Sequence, residues 1–140
     1  MKVKHIMSQN VFVVHSGANV RDVAKMMLDR RLGSAVVSDG ERVVGIVTDR
    51  DVLATLTNKR KFNPDLETVD KIMSRCVHFI GAEAEVWKAK DMMVRYGIKK
   101  LPVMKDGQLG GIVTSTDIAA EDSDVLDSLK SSAYRAVRGY

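Results

Sequence analysis

The fold of this chain is decided by a stretch that occurs twice: GIVTDRD at residues 45–51 and GIVTSTD at residues 111–117. Outward from these two copies, residues 3–53 match residues 69–119 without a gap, and 15 of the 51 paired positions are identical. Average residue usage predicts only about 3 or 4 identities by chance. Because an internal repeat fixes the architecture, we predict two copies of one structural unit that fill nearly the whole chain.

Length and composition agree with a compact folded body. The chain has 140 residues, 45% of them hydrophobic, which is enough to bury a full core. The single cysteine, Cys76, indicates a reducing setting, and we find no leading apolar stretch and no run of eighteen apolar residues. These features predict a cytoplasmic protein without a signal peptide or membrane span. The net charge of +4 favours anionic partners without naming one.

Each repeat has the pattern strand, helix, strand, strand, helix, which predicts an α/β (α+β) fold. Apolar runs at 11–14 and 77–80 predict the first strand of each copy. Apolar residues at helical spacing follow, with Asn19 as a candidate N-cap; they are Val20, Val23, Ala24, Met27 and Leu28 in the first copy and Val86, Ala89, Met93 and Val94 in the second. Asp39-Gly40 and Asp106-Gly107 each predict a hairpin.

The same patterns predict the domain limits. We assign residues 1–57 to the first repeat, 58–67 to a linker loop, 68–120 to the second repeat and 121–140 to a C-terminal helical extension. The extension carries apolar residues at near-helical spacing, which fits packing on the body or on a partner chain. Residues 59–61 of the linker form a Lys-Arg-Lys run, which fits either an anion site or a solvated charge cluster.

The chemistry of the chain is concentrated where a strand meets a helix, at Thr48 and Thr114. Helix N-termini attract phosphate through free N–H groups and the helix dipole. Thr48 or Thr114 can then donate to a phosphate oxygen, while Asp51 or Asp117 can accept from the hydroxyls of a ribose. The same Thr-x-x-Asp spacing also fits a capping box that satisfies the helix itself. The preceding glycine, Gly45 or Gly111, allows close approach of a flat base or of a neighbouring strand.

The combined motifs resemble the CBS domain family, and two such domains in tandem resemble a Bateman module. The resemblance rests on Ile-Met-Ser at 6–8 and 72–74, Leu-Pro-Val at 101–103 and Gly-Ile-Val-Thr-x-x-Asp at 45–51 and 111–117. It implies two repeats packed sheet to sheet with pseudo-two-fold symmetry, adenosine compounds in the clefts, and a homodimer formed through the helices. It also implies that Thr48 and Thr114 face phosphate and that Asp51 and Asp117 hold ribose. Main chain near the following residues would line the base pockets: Val13, Val14, Ser34 and Ala35 in one, Phe79, Ile80, Leu101 and Pro102 in the other.

The second copy of the motif is the better phosphate site. Thr114, Ser115 and Thr116 place three hydroxyls at a helix start, and Lys99 or Lys100 can neutralise phosphate charge. The first copy has a second carboxylate, Asp49, which opposes phosphate binding unless Arg50 offsets it. We therefore expect AMP, ADP or ATP as a regulatory ligand bound most strongly by the second copy, with S-adenosylmethionine or NAD as the alternatives.

Three classes of function stay open. The first is a regulatory adenosine-nucleotide sensor that acts on a partner protein in trans, and the second is an interaction or dimerisation module with vestigial pockets. The third is a nucleic-acid binder, which the aromatic content of 5% disfavours. The sequence contains no catalytic constellation, no phosphate-binding glycine loop and no His/Cys spacing typical of a metal site. We therefore expect neither an enzyme nor a metalloprotein.

Overall fold

A computed structural model of the chain describes residues 1–57 and 62–121. The predicted order of strand, helix, strand, strand, helix occurs twice. The first copy contains β1 (Val13–His15), α1 (Val20–Asp29), β2 (Ser34–Ser38), β3 (Val43–Thr48) and α2 (Asp49–Ala54). The second contains β4 (Ile80–Gly81), α3 (Val86–Tyr96), β5 (Lys100–Lys105), β6 (Gln108–Thr114) and α4 (Ser115–Ala120). A short 3₁₀ turn opens each copy, at Val3–His5 and at Val69–Lys71.

One compact unit, here called the continuous unit, is formed by Val11–His78. Its three-stranded sheet has the order β1-β2-β3, with β1 parallel to β2 and β2 antiparallel to β3. The helix α1 begins where predicted, because the side chain of Asn19 accepts hydrogen bonds from the N–H groups of Arg21 and Asp22. The core consists of Phe12, Val14, Val20, Val23, Met27, Ala35, Val37, Val47 and Val69.

The other compact unit, here called the split unit, combines Met1–Asn10 with the chain from Phe79 onward. Its sheet repeats the same arrangement with the order β4-β5-β6, with β4 parallel to β5 and β5 antiparallel to β6. The helix α3 ends at Gly97, whose φ of 63° is the left-handed conformation that glycine adopts most easily. The core consists of Val3, Ile80, Ala82, Ala89, Met93, Leu101, Val103 and Val113.

Each unit is completed by the opening segment of the other repeat. Val3 lies in the core of the split unit and Val69, its equivalent, lies in the core of the continuous unit; both are fully buried. The N–H of Val3 donates to the carbonyl of Ala84 at 2.9 Å, and the N–H of Val69 donates to the carbonyl of Ala18 at 2.9 Å. The limits of the two compact units therefore differ from the limits of the two sequence repeats.

The two predicted hairpins both form, with different loops. Asp106 and Gly107 have φ of 51° and 76°, so they make the two-residue turn with two positive φ angles that matches strand twist. The equivalent connection after β2 is longer, because β2 ends at Ser38 and β3 begins at Val43. There Asp39 holds the loop by accepting hydrogen bonds from the N–H groups of Glu41 and Arg42, both at 3.0 Å.

Several details differ from the sequence predictions. The first strand of each copy begins later than the apolar run, because only Val13–His15 and Ile80–Gly81 pair with a neighbouring strand. Leu28 and Val94 were predicted on the buried helix faces but are 79% and 78% exposed. Each directly follows a buried methionine, and a helix turns about 100° per residue, so it points away from the core. The Lys-Arg-Lys run and the C-terminal extension after Glu121 lie outside the described residues.

Candidate functional site

The predicted motif of the second copy forms the junction between β6 and α4. Thr114 is the last residue of β6, and its hydroxyl oxygen accepts from the N–H of Asp117 at 3.1 Å. The carboxylate of Asp117 returns the contact, since its Oδ2 accepts from the N–H of Thr114 at 2.8 Å. Both residues are half-buried. The capping box is therefore formed, and it holds the threonine and the aspartate of this motif in a fixed relation.

The first copy of the motif has the same geometry between β3 and α2. The Oδ2 of Asp51 accepts from the N–H of Thr48 at 2.8 Å, and the hydroxyl oxygen of Thr48 accepts from the N–H of Asp51 at 3.3 Å. The Thr48 hydroxyl also lies 3.1 Å from the same Oδ2. The cap uses Oδ2 in both copies, and a carboxylate offers about four acceptor positions over its two oxygens. Capping therefore leaves each aspartate with capacity for a further donor.

The helix starts are less open to an anion than the sequence pattern indicated. The N–H of Ser115 donates to the carbonyl of Lys99 at 2.8 Å, and the N–H of Asp49 donates to the carbonyl of Gly33 at 3.0 Å. Together with the capping bonds, these contacts occupy two of the first-turn N–H groups of each helix. A phosphate placed here would therefore rely on side-chain donors as well as on backbone groups.

Strand register brings the other predicted site residues of the split unit near this junction. Lys100 lies opposite Thr114 on the neighbouring strand, and Leu101 lies opposite Val113. Leu101 and Pro102 are fully buried, so only their main chain can line a pocket. Ile80 pairs with Val103, two residues along from Leu101. The remaining predicted residues here are exposed: Phe79, Lys99, Ser115 and Thr116.

The continuous unit brings its own predicted set together in the same way. Ser34 lies opposite Thr48, and Ala35 lies opposite Val47. Val13 and Val14 pair with Val36 and Val37 on the other edge of β2. Val14 and Ala35 are buried, whereas Val13 and Arg50 are exposed. The predicted residues thus divide into two equivalent groups, one within each compact unit.

The glycine of each motif lies beneath the Ile-Met-Ser segment of the same unit. A Cβ on Gly111 would lie 2.7 Å from the carbonyl oxygen of Ser8, and a Cβ on Gly45 would lie 2.8 Å from that of Ser74. Ser8 exchanges two backbone hydrogen bonds with Ile112, both at 2.9 Å. Of the two uses considered for these glycines, the structure shows close approach of a neighbouring segment. The sequence signal for this contact is the repeated Ile-Met-Ser motif, which by itself predicts no particular contact.

The clearest shift in a side-chain pKa lies in the turn between β4 and α3. The carboxylate of Glu83 contacts the ammonium groups of Lys2 and Lys4, each at 2.7 Å. These hydrogen bonds lower the pKa of Glu83 to about 2 and raise the pKa of Lys2. The pKa of Asp39 is also lowered, mainly by the backbone N–H groups of Glu41 and Arg42. The carboxylate of Glu83 holds the N-terminal segment in place, and that of Asp39 stabilises the loop after β2. Neither residue belongs to the predicted ligand site.

The described residues, 1–57 and 62–121, contain no cluster of metal-ligating side chains and no helix fit to cross a membrane. Within these ranges, no group of three or more His, Cys, Asp or Glu side chains is placed to hold a metal ion. No helix in the same ranges has the length and apolar character needed to cross a membrane. Cys76 is exposed, and its Sγ lies 3.8 Å from Nε2 of His78.

Comparison with known proteins gives consistent matches in sequence and structure. A curated relative, an uncharacterized 17.7 kDa protein of Acidianus ambivalens, is 37% identical over 126 residues, which cover 89% of this chain and 74% of that protein. Across other curated relatives the chain spans between 15% and 82% of the matched protein. The same pair of repeats therefore also occurs inside longer proteins.

Two solved structures show the same fold. A protein with CBS domains from Burkholderia ambifaria aligns with a TM-score of 0.81 at 23% identity, covering 89% of this chain and 95% of that one. The CBS domain pair of protein MJ0100, solved with 5-methylthioadenosine and S-adenosyl-L-methionine, aligns with a TM-score of 0.76 at 28% identity. That alignment covers 86% of this chain and 98% of the other.

The family model for the CBS domain matches this chain twice, at residues 3–58 and 69–124. These two ranges contain both strand-to-helix junctions and the Ile-Met-Ser segments that cover their glycines. Sequence, fold and site geometry lead to one assignment: the chain belongs to the CBS domain family and carries two CBS domains in tandem.

Proposed function

We propose that this chain is a regulatory module that binds an adenosine nucleotide and acts on a partner protein in trans. The observation that carries the proposal is the adenosine chemistry of the MJ0100 domain pair, which shares this fold at 28% identity and was solved with two adenosine-containing ligands. Two CBS domains in tandem and the duplicated Thr-x-x-Asp junction support the same function here.

The junction of the split unit is the better candidate for the nucleotide. Asp117 is fixed by its cap and retains acceptor capacity for a ribose. Ser115 and Thr116 expose hydroxyl donors on the first turn of α4, and Lys99 is exposed on the segment that leads into β5. The equivalent junction carries Asp49 beside Asp51, and two carboxylates oppose an anion. We therefore assign AMP, ADP or ATP to the split unit.

The two ligands of the MJ0100 pair keep an alternative specificity open. Methylthioadenosine and S-adenosylmethionine share the adenosine group but carry no phosphate. A site that recognises adenosine alone would accept them as readily as AMP. The discriminating feature in this chain is the set of hydroxyls and lysines around Thr114, which suits a phosphate.

Calorimetric titration of the purified protein against AMP, ADP, ATP, methylthioadenosine, S-adenosylmethionine, NAD and a short RNA tests the proposal. We expect the tightest binding from one of the three nucleotides. Tightest binding of a sulfur-containing adenosine would keep the ligand-binding module and change its ligand. Binding of the RNA alone would assign the chain to the nucleic-acid class.

A second candidate function is an interaction module whose pockets no longer bind ligand. The observation that favours it is the capping box itself, because both Thr-x-x-Asp motifs satisfy their own helix starts. Under this function, none of the ligands in the titration would bind, and substitutions in the motif would change stability alone.

The remaining parts of the proposal concern assembly and setting. We propose a homodimer formed through the CBS helices, a view supported by large apolar side chains exposed on α1 and α3, including Leu28, Trp87 and Val94. We propose a non-catalytic role. Tandem CBS domains occur inside relatives of very different length, and in our proposal a partner protein produces the regulated activity. The free thiol of Cys76 fits the cytoplasmic location that we propose.

A further inference from the structure

The segment between Ser74 and Ile80 carries two side chains of the kind that bind metal ions. The Sγ atom of Cys76 lies 3.8 Å from Nε2 of His78, and neither residue belongs to a helix or a strand. Cys76 is exposed and His78 is half-buried. A thiolate and an imidazole at this separation can bind the same metal ion, because an ion placed between them reaches both donor atoms.

The separation of the two donor atoms fits a tetrahedral zinc ion. Zinc binds sulfur at about 2.3 Å and imidazole nitrogen at about 2.0–2.1 Å, so the two atoms lie roughly 3.5 Å apart in a tetrahedral site. The observed 3.8 Å is close to this value, and a small rotation of the exposed Cys76 side chain closes the difference. Thiolate and imidazole ligands also select zinc over hard cations such as magnesium and calcium.

Backbone contacts hold the segment that carries this pair. Ser74 exchanges two backbone hydrogen bonds with Ile46, at 2.9 and 3.0 Å, and Ile80 is the first residue of β4. The guanidinium group of Arg75 donates to the carbonyl oxygen of Asp70 at 3.1 Å. The two ligands are therefore presented by an anchored backbone, which reduces the conformational entropy lost when a metal ion binds.

The repeat shows that the fold does not require a thiol and an imidazole here. The equivalent residues of the first repeat are Asn10 and Phe12, and Phe12 is a core residue of the continuous unit. The second repeat has a half-buried histidine in place of this buried aromatic ring and a cysteine two residues before it. Packing alone therefore does not explain the pair.

One chain supplies only part of a closed zinc site. A structural zinc ion has four protein ligands. Within residues 1–57 and 62–121, no third His, Cys, Asp or Glu side chain is placed to join Cys76 and His78. Because a single chain holds half of such a set, its sequence alone predicts no metal site.

We propose that one zinc ion binds Cys76 and His78 from each of two copies of this chain. Two sulfur and two nitrogen ligands in a tetrahedron are a typical zinc-binding set. The exposure of Cys76 lets a second copy reach the ion. Each cysteine binds as a thiolate and each histidine as a neutral imidazole, so one bound ion releases two thiol protons to the solvent.

Zinc titration of the reduced, metal-free protein tests this site. We expect calorimetry and native mass spectrometry to give one ion for two chains. X-ray absorption at the zinc edge should show two sulfur and two nitrogen ligands. Cobalt(II) in place of zinc should give a thiolate charge-transfer band in the near ultraviolet, and EDTA should remove it.

Substitution of either ligand should weaken the site. Cys76→Ser and His78→Phe should each raise the Kd for zinc roughly a hundredfold or more, since each removes two of the four ligands of a shared ion. His78→Phe introduces the residue that the first repeat has at this place. The matched control is His15→Ala, which removes an exposed histidine outside the segment and should leave the Kd and the stoichiometry unchanged. Circular dichroism checks that each variant is folded, and exposed Cys76 is the substitution least able to disturb packing.

Three results would overturn the proposal. A wild type that binds no zinc would remove the site altogether. An unchanged Kd in folded Cys76→Ser would assign the ion to other residues. One ion for each chain, with a single sulfur ligand, would show that the site is not shared between two copies.

Discussion

Asp117 has two potential tasks that a substitution can separate. Its carboxylate caps α4 through the N–H of Thr114, at 2.8 Å, and it is our candidate for the ribose hydroxyls. An asparagine keeps an acceptor oxygen for the cap but loses the charge, whereas an alanine loses both.

We therefore expect Asp117→Asn to weaken nucleotide binding with little change in melting temperature. Asp117→Ala should weaken binding roughly ten- to a hundredfold, because a charged hydrogen bond contributes about 1.5–3 kcal/mol. It should also lower the free energy of unfolding by about 1 kcal/mol through loss of the cap. Calorimetry and urea unfolding measure the two effects separately.

The matched control for this pair is Asp51→Ala in the continuous unit. It removes an equivalent cap, so its stability loss should be similar while nucleotide affinity changes less. If Asp51→Ala abolishes binding and Asp117→Ala does not, the assignment to the split unit is wrong. Loss of stability without any change in affinity for all three variants would favour the interaction module.

Gly111 is a residue whose missing side chain can be tested directly. A Cβ at this position would meet the carbonyl oxygen of Ser8 at 2.7 Å, and a backbone atom cannot move aside cheaply. Gly111→Ala should therefore lower the free energy of unfolding by about 1–3 kcal/mol, the usual range for overpacking.

Gly81, in the same sheet, is the control for this substitution. An added Cβ there meets no atom within 4 Å, and its φ is not positive. Gly81→Ala should change stability by no more than about 0.5 kcal/mol. Equal losses for the two variants in urea unfolding would show that contact with the Ile-Met-Ser segment is not what requires Gly111.

At the scale of elements, the ion pairs of Glu83 with Lys2 and Lys4 hold the N-terminal segment to the turn between β4 and α3. The pKa of Glu83 is lowered from 4.5 to about 2 by these two partners. A carboxylate with a lowered folded-state pKa stabilises the folded state above its unfolded pKa, and that contribution is lost as the pH falls from about 4.5 towards 2. Because Glu83 is exposed and both lysines are only half-buried, the effect is small.

We therefore expect the backbone N–H groups of Val3 and Lys4 to exchange faster with solvent as the pH falls through this window, after correction for the intrinsic rate. Glu83→Gln should exchange at the faster corrected rate already at pH 6 and should show a weaker pH dependence. Hydrogen exchange followed by mass spectrometry provides the measurement. A wild-type pH profile unchanged in Glu83→Gln would contradict this role of the carboxylate.

The limits of a helix, strand or turn could be predicted where they depend on interactions between residues close in sequence. The start of α1 followed from Asn19, and the turn at 106–107 followed from Asp-Gly, because both signals act within a few residues. The start of β4 did not follow from its apolar run, since pairing with β5 decides which residues join the sheet. Exposure of Leu28 depends on which face of α1 packs on the core, and the sequence periodicity locates the edge of that face only to within about one residue.

The candidate site was predictable in position and less so in chemistry. The sequence located both Thr-x-x-Asp motifs at strand-to-helix junctions, and the capping-box interpretation is confirmed. The use of Ser115 N–H by the carbonyl of Lys99 was not predictable, because it joins segments that meet only in the folded sheet. The ligand roles of Thr114, Asp117 and their neighbours stay predictions.

At the scale of the whole molecule, Val3 and Val69 should each stabilise the unit that contains the other repeat. Val3 is fully buried in the split unit, and the other core residues of that unit lie far from Val3 in sequence. Val3→Ala should cost roughly 2 kcal/mol from lost burial and the cavity it leaves. Hydrogen exchange should then rise in β4, β5 and β6 before it rises in β1, β2 and β3.

Val69→Ala is the matched substitution in the continuous unit, since Val69 is equally buried. It should produce the reverse order of exchange, with β1, β2 and β3 affected first. If Val3→Ala instead increased hydrogen exchange first in β1, β2 and β3, which follow Val3 directly in sequence, the placement of Val3 in the core of the split unit would be contradicted.

The placement of each repeat's opening segment in the other unit also sets the order in which the nascent chain can fold on the ribosome. The continuous unit has its last core residue at Val69, so it can close while the second repeat is still being translated. Val3 precedes every other core residue of both units in sequence, yet its partners Leu101, Val103 and Val113 are made only after the continuous unit is complete. The apolar side chain of Val3 therefore stays accessible to chaperones until the second repeat has been translated.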